Sequence, residues 1–384
     1  MVKRLPLDSR AKVSGLKQPK QLFCFARDID GHYVYDEKEV IDNHLSYYYL
    51  PDSWVNHVDL GAGFKQFKQI PEEENLGDFA ALLKAVMLYE QATGKKTAVD
   101  LITFRGLMTK ILMVPFQNDP IDFDIVAFDG QLFMRDNYEL ALKKRQQEEQ
   151  QLNQQDPQQA DYVRRCQYSG YKFEAVATLP KPWADCSRKL IENRVKKPVN
   201  NYEQYISAVK TGIGSTKMLL AGEVDCVYDY VPESGNIVSH FVELKTTSTL
   251  DNPRQVGNFE KKFFRTWAQC FLMGVGKIVY GFRDKNFMLR AVETYTTDEV
   301  PILLKNNKQV NSMTALKWYG AALEWILKEV DRTDESKAWR LCYDPSTRSF
   351  MLDELMDTDN ARLRSGELLT PEFIAWRQQL KEGN

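Results

Sequence analysis

The chain has 384 residues, with 51 Lys+Arg against 53 Asp+Glu, 43% hydrophobic and 27% charged residues. That length allows one large domain or two ordinary ones, and the composition excludes a disulfide-stapled mini-protein and wholesale disorder. A net charge of -2 excludes a generally basic nucleic-acid coat, so any nucleic-acid site must be a local basic patch.

Residues 1 to about 20 carry Lys and Pro without periodicity and read as a flexible N-terminal arm, with a single domain from 21 to 384. Residues 21–70, rich in aromatics such as Tyr47-Tyr48-Tyr49, read as irregular strands and turns. Asp78 is placed to cap a helix that runs to Gly94, with Leu82, Leu83, Val86 and Met87 at helical spacing. Val99 to Gly106 leads into a short helix that ends before Pro115. Ile121 to Arg135 reads as a β-hairpin about the Asp129-Gly130 turn. The Gln/Glu/Lys-rich stretch at about 143–160 has few residues to bury and reads as a surface insertion or a flexible helix extension. Further on, Lys217 to Val231 alternates as a strand, Pro232 to Asn236 is a turn, and Ile237 to Thr247 alternates again. Phe259 to Met273 is helical with a stop at Gly274. Lys277 to Tyr295 forms a second hairpin, and Ser312 to Val330 another helix. Interleaved strands and helices predict an α+β fold, a mixed β-sheet core flanked by helices.

Six cysteines without a CxxC pair read as thiols of a reducing compartment, and four scattered histidines make a zinc site unexpected. A metal here would be held by carboxylates, which favours Mg²⁺ or Mn²⁺. No apolar run reaches 18 residues, and the residues after Met1-Val2-Lys3-Arg4 offer no apolar stretch. Neither a membrane span nor a secretory signal is expected.

The chemistry concentrates in two neighbouring segments. Glu223 and Asp225 are two apart and share a strand face, as do Glu243 and Lys245 on the next strand. Acids this close repel unless a cation lies between them. Acid, turn, then acid-x-Lys is the spacing of a PD-(D/E)xK nuclease site. It is also the spacing of a solvated strand face with an ordinary salt bridge, and acid-x-Lys is common enough that on this pattern alone the bland reading prevails. Lys262, Arg265 and Gln269 form one polar stripe on the helix of residues 259–273, suited to a phosphate or to solvent. Glu174, before the run Ala175 to Leu179, is a further metal ligand or a helix N-terminal charge. Arg105 is a phosphate clamp or half of a structural ion pair.

Taken together, Thr103-Phe104-Arg105-Gly106, Gly170-Tyr171-Lys172-Phe173-Glu174, Gly222-Glu223-Val224-Asp225, Val242-Glu243-Leu244-Lys245-Thr246, Phe264 to Phe271 and Tyr280 to Asp284 resemble the DXO family of RNA 5′-end decapping nucleases, and its fungal nuclear branch in particular. The resemblance runs from about residue 15 to the C-terminus and lacks a counterpart only for the Gln-rich insertion. It implies a single catalytic domain of PD-(D/E)xK nuclease-like fold. It implies one or two Mg²⁺ or Mn²⁺ held by Glu174, Glu223, Asp225, Glu243 and the Leu244 carbonyl. Lys245, Gln269 and Glu223 would be catalytic. Arg105 would hold an RNA phosphate, with Lys217, Lys262, Arg265 and Arg283 as further basic contacts. The activity implied is metal-dependent hydrolysis at the RNA 5′ end, removing incomplete guanosine caps, pyrophosphate from 5′-triphosphate RNA and, in some members, NAD-type caps. The partner implied is a nuclear 5′-to-3′ exoribonuclease, hence a location in the nucleus, with no membrane. Two alternatives stand beside it: a non-catalytic stabilising subunit of the exoribonuclease, and a PD-(D/E)xK DNA endonuclease.

Overall fold

Two mixed β-sheets organise the chain, and a computed structural model describes residues 2–12, 15–71, 74, 78–117 and 121–382. The larger sheet has ten strands in the order β1 (Lys3–Pro6), β16 (Ser349–Glu354), β15 (Ala338–Asp344), β6 (Ile121–Phe128), β7 (Gln131–Asp136), β5 (Leu101–Phe104), β10 (Thr216–Glu223), β9 (Gln204–Ile213), β2 (Leu16–Arg27) and β3 (Tyr33–Val34). The smaller has six: β14 (Leu289–Thr296), β13 (Lys277–Arg283), β12 (Phe241–Ser248), β11 (Cys226–Val227), β4 (Tyr47–Tyr48) and β8 (Thr178–Leu179). The helices are α1 (Glu37–His44), α2 (Phe79–Thr93), α3 (Arg105–Met113), α4 (Tyr138–Gln155), α5 (Pro157–Ala177), α6 (Arg188–Asn193), α7 (Pro253–Met273), α8 (Val300–Leu303), α9 (Ser312–Glu329), α10 (Asp357–Arg362) and α11 (Pro371–Glu382). The fold is α+β, as expected.

Strand alternation sets the layers. In β10, Met218 and Leu220 join the core that holds α3, α7 and α9, while Leu219 and Ala221 join the one beneath α2 and α11. In β12, Leu244 packs with Phe173 of α5, whereas Phe241 and the β13 side chains Ile278, Tyr280 and Phe282 meet α7. The order is therefore α2/α11, large sheet, α3/α7/α9, small sheet, α5. Both sheets are covered on both faces, which makes their strand ends rigid platforms.

Local signals explain most elements. Asp78 accepts the Ala81 N–H at the start of α2, and Gly94 and Gly274 end α2 and α7 in the left-handed region. Asp129 and Gly130, both at positive φ, turn β6 into β7.

Four expectations are corrected. The N-terminal arm is not free: Lys3–Pro6 pairs with β16, and residues from Leu16 onward pair with β9. Residues 21–70 contain a regular helix, α1, capped by Asp36. Lys217 to Val231 is not one strand, because β10 ends at Glu223 and Cys226–Val227 belong to the other sheet. Ile237–His240 is a 3₁₀ turn, so the next strand begins only at Phe241. The Gln-rich stretch forms α4, none of whose side chains is buried, and the start of α5.

The C-terminal helix α11 is bolted on by charge. Arg377 and Glu90 of α2 are both fully buried and joined at 2.7 Å by two guanidinium nitrogens. Gln131 and Asp129 take the third nitrogen, and the Thr97 N–H and Trp376 Nε1 complete the Glu90 shell. Removing one partner strands a buried charge. Arg377→Ala should therefore lower the unfolding free energy by roughly 3–5 kcal/mol in urea titration; a loss under about 1 kcal/mol would show that the clamp contributes nothing net.

Candidate active site

The site forms where the chain crosses from one sheet to the other. β5 and β10 run parallel, with Phe104 opposite Ala221, so Arg105 at the first turn of α3 sits level with Gly222. A Cβ on Gly222 would come 3.1 Å from the Arg105 Cβ and 3.3 Å from its Nε. Glycine is thus the residue that lets the guanidinium pass. Glu223 ends β10, and Val224-Asp225 carry the chain into β11.

β11 is only two residues long and pairs with Phe241 and Val242. From Glu243 onward, that edge of β12 is open. The Asp225 carboxylate takes the missing strand's place, accepting the Leu244 N–H at 2.6 Å. A strand residue's N–H and C=O point to the same side, so the Leu244 carbonyl also faces the Asp225 edge. Glu243 and Lys245 turn to the α7 side, where Lys245 Nζ donates to Glu243 Oε1 at 2.5 Å and Arg105 Nη1 lies 3.8 Å from Glu243 Oε2. Glu174 arrives from the last turns of α5, which Gly281 admits to the sheet: a Cβ there would lie 2.7 Å from the Phe173 ring. Gln204 at the start of β9 donates to Glu223 Oε2 at 3.1 Å.

Charge sets the electrostatics. Burial, then the Asp225 and Glu223 charges, push the Glu174 carboxyl well above the usual range. Burial and Glu243 raise Asp225 to about 7, and the same two causes raise Glu223. Glu243 is the exception: burial pushes it up, but Lys245 and Arg105 outweigh burial and hold it below its ordinary value. Burial disfavours the Lys245 ammonium, yet Glu243 and Asp225 outweigh that and raise it well above the normal lysine range. Lys245 is therefore a cation here.

The donor set fits a hard divalent cation. It consists of carboxylates and a carbonyl. Among the described residues Glu243 Oε2 is buried with no hydrogen-bond partner, an orphaned acceptor at the centre of the group. The acids are held apart rather than clenched. Among the described residues, the one group whose ligand atoms all lie within 4.8 Å of one another is Asp28, Asp30 and His32, in a turn after β2. There, Asp28 Oδ1 already accepts the Asp30 and His32 N–H groups. In front of Glu174, Glu223 and Asp225 lies a cleft of about 460 Å³, walled also by Tyr171, Lys197 and Gln204.

The structure thus brings Glu174, Glu223, Asp225, Glu243, Leu244, Lys245 and Arg105 together. α7 packs against β12 and carries Gln269 half-buried, next to Cys270, which feels the Glu243 charge. Along the same helix Lys262 is exposed, and Arg265 donates to Gln117 at 2.5 Å. Glu174 is not a helix N-terminal charge, since α5 begins at Pro157. Two of the predicted basic contacts lie away from the acids. Lys217 starts β10 while Glu223 ends it, a separation of about 20 Å at ~3.3 Å per residue. Arg283 is buried over the Phe287 ring at 4.7 Å, in the apolar cluster of Phe173 and Leu244. Sequence reasoning missed Gln204, because no strand was assigned at 204–213, and Tyr171, whose i, i+3 relation to Glu174 carries meaning only inside a helix.

Comparison with known proteins gives a consistent picture. A family model described as RAI1-like PD-(D/E)XK nuclease matches residues 17–374. The chain is 57% identical over 396 residues to the decapping nuclease RAI1 of Scheffersomyces stipitis, covering 100% of both chains. It is similar to the crystal structure of Scheffersomyces stipitis Rai1 in complex with (3′-NADP)+ and calcium ion, with a TM-score of 0.96, 58% identity, and coverage of 98% of this chain and 100% of that one. For Candida albicans Rai1 in complex with pU5-Mn²⁺ the TM-score is 0.96 at 53% identity, over 99% of this chain and 100% of that one.

Metal binding should be linked to protons. Asp225 rises from 3.8 to about 7 on folding, so below pH 7 a cation must displace its proton. The metal-free fold binds that proton more tightly than the unfolded chain does, so this group's contribution to stability declines as pH rises from about 4 to about 7. In calorimetric Mn²⁺ titrations the apparent affinity should fall as pH drops below 7, by roughly tenfold per unit for the Asp225 proton alone, with a heat that depends on the buffer's ionisation enthalpy. A flat affinity from pH 5.5 to 8 would contradict this electrostatic arrangement.

Proposed function

The chain belongs to the family of RAI1-like PD-(D/E)XK nucleases, and from that membership we propose that it is a divalent-metal-dependent hydrolase of RNA 5′ ends, a decapping nuclease. The observation that carries the reading is the meeting of Glu174, Asp225, the orphaned Glu243 oxygen and the Leu244 edge beside one permanently charged lysine, at the bottom of an open cleft.

Glu174, Glu223, Asp225, Glu243 and the Leu244 carbonyl would hold one or two Mg²⁺ or Mn²⁺. When bound, the metal supplies charge neutralisation at the phosphate and a water of lowered pKa. The chain's own groups do the rest. Lys245, kept cationic by Glu243 and Asp225, orients the attacking water or steadies charge developing on phosphate oxygens. Gln269 holds that water or the scissile phosphate from the α7 side. Arg105, half-buried beside Glu243, anchors a neighbouring phosphate through a rigid fork of donors. Gln204 holds one Glu223 oxygen and so leaves the other for the metal.

One reaction type serves several 5′ ends. Water attack at the α-phosphorus of a 5′-triphosphate expels pyrophosphate. Attack at the phosphodiester after the first nucleotide expels the cap guanosine joined to that nucleotide, a dinucleotide. Both leave a 5′-monophosphate on the RNA. Incomplete guanosine caps and 5′-triphosphates are the substrates this reading favours, with NAD-type caps as a further class. The family resemblance also supports association with a nuclear 5′-to-3′ exoribonuclease and a nuclear location. Affinity purification from nuclei should recover such an exonuclease, and its absence would refute the partnership without touching the hydrolase.

Glu243→Gln keeps the shape of the side chain and removes its charge. It should lower Mn²⁺-dependent release of pyrophosphate from 5′-triphosphate RNA by roughly 100-fold or more, with the melting temperature near that of the parent. Turnover within a few-fold of the parent would sink the metal-hydrolase reading.

A further inference from the structure

α5 turns one stripe of its surface to the cleft: Tyr171, Glu174, Ala175 and Thr178, at spacings of three, four and seven residues, all line it. Glu174 belongs to the acid group, and the Thr178 hydroxyl donates to the Glu174 carbonyl at 2.8 Å. Tyr171 has no place in the donor set, yet its ring is fixed. The ring packs on Phe67 with centroids 5.4 Å apart, and the Asn201 side chain lies beside the phenol.

What Asn201 can offer the phenol follows from its other contacts. Asn201 is buried, and its amide carbonyl accepts the Ile70 N–H at 2.8 Å. Its NH₂ remains to face Tyr171, a donor that would leave the phenol proton free to be given elsewhere. Asn201 is itself held on three sides. Its backbone carbonyl accepts from Arg27 at 3.1 Å, Arg27 also reaches the Tyr202 carbonyl at 2.8 Å, and the Asn201 backbone N–H donates to the Lys68 carbonyl at 3.3 Å. The charges that bear on the phenol are those of Glu174, Glu223 and Lys245, which places the hydroxyl at the rim of the acid group on the cleft wall.

A donor fixed beside a metal site that neutralises phosphate is set to bind the phosphate's remaining oxygen. Building on the reading of this cleft as a site for RNA 5′ phosphates, we infer that Tyr171 is a substrate-binding residue whose phenol donates a hydrogen bond to a non-bridging oxygen of the phosphate lying over the acids. Asn201 is the positioning residue that aims it. Neither role requires Tyr171 to lose its proton or to touch the metal.

Tyr171→Phe keeps the ring packed on Phe67 and removes only the donor. The experiment compares the parent and Tyr171→Phe in single-turnover hydrolysis of 5′-triphosphate RNA, with oxygen or with sulfur at each non-bridging α-phosphate position. Mn²⁺ calorimetry and thermal melting are run on both proteins. The inference predicts that kcat/KM falls roughly 10- to 100-fold in the variant while Mn²⁺ affinity and melting stay put. It also predicts that sulfur at the contacted oxygen costs the variant less than the parent, because the contact it weakens is already gone. A variant within twofold of the parent, or sulfur effects that simply multiply, would overturn the role of Tyr171 and leave the hydrolase reading standing. A parent protein that releases no pyrophosphate with Mn²⁺ present would overturn the hydrolase reading itself, and the inference with it.

Discussion

Four carboxylates face one another with Lys245, Arg105 and, for Glu223, Arg27 to offset them, and the repulsion among them is the constraint that shapes the site. Burial between the two sheets, and after it the repulsion of neighbouring carboxylates, raises the Glu174 and Asp225 carboxyls above the ordinary range. A divalent cation resolves the conflict by replacing those protons. The cost of holding the acids together without metal falls on the fold, and the fold meets it with rigid supports rather than with more counter-charges.

Each support is a specific local device. β11 stops after two residues and leaves β12 an open edge, and the Asp225 side chain completes the ladder where a third backbone pair would have been. Gly222 clears the path for Arg105, and Gly281 lets the Phe173 ring lie flat enough for α5 to deliver Glu174. Because the large sheet is packed on both faces and its far side is clamped by the buried Arg377–Glu90 pair, the end of β10 has little freedom to let Glu223 drift. Gln204 and the Asn201–Tyr171 contact then tune two side chains along the rim.

Much of the site was legible in the sequence, and the failures have common causes. Helix ends written by local chemistry, at Asp78, Gly94 and Gly274, came through because caps act within one turn. The acid-x-Lys pair was readable because alternation in β12 is strict. The crossing from β10 to β11 was not, since Val224-Asp225 continue the same alternating pattern while changing sheets. The reading of Glu174 as a helix N-terminal charge, one of its two alternatives, fails because the true start, where Asp156 accepts the Gln159 N–H, closes a Gln-rich tract that offers no apolar period. Lys217 and Arg283 show the limit of residue type: a positive charge in the right segment says nothing about which end of a strand or which face of a sheet it occupies. No element was assigned beyond Val330, so the C-terminal clamp was invisible, its two partners lying 287 residues apart.

The most direct test is anomalous diffraction at the manganese edge from crystals of the protein grown with Mn²⁺. The acid group described here predicts the strongest peak among Glu174, Asp225, Glu243 and the Leu244 carbonyl oxygen, with Glu243 Oε2 in coordination and Lys245 displaced from the ion. A strongest peak at Asp28, Asp30 and His32, or none between the two sheets, would contradict it.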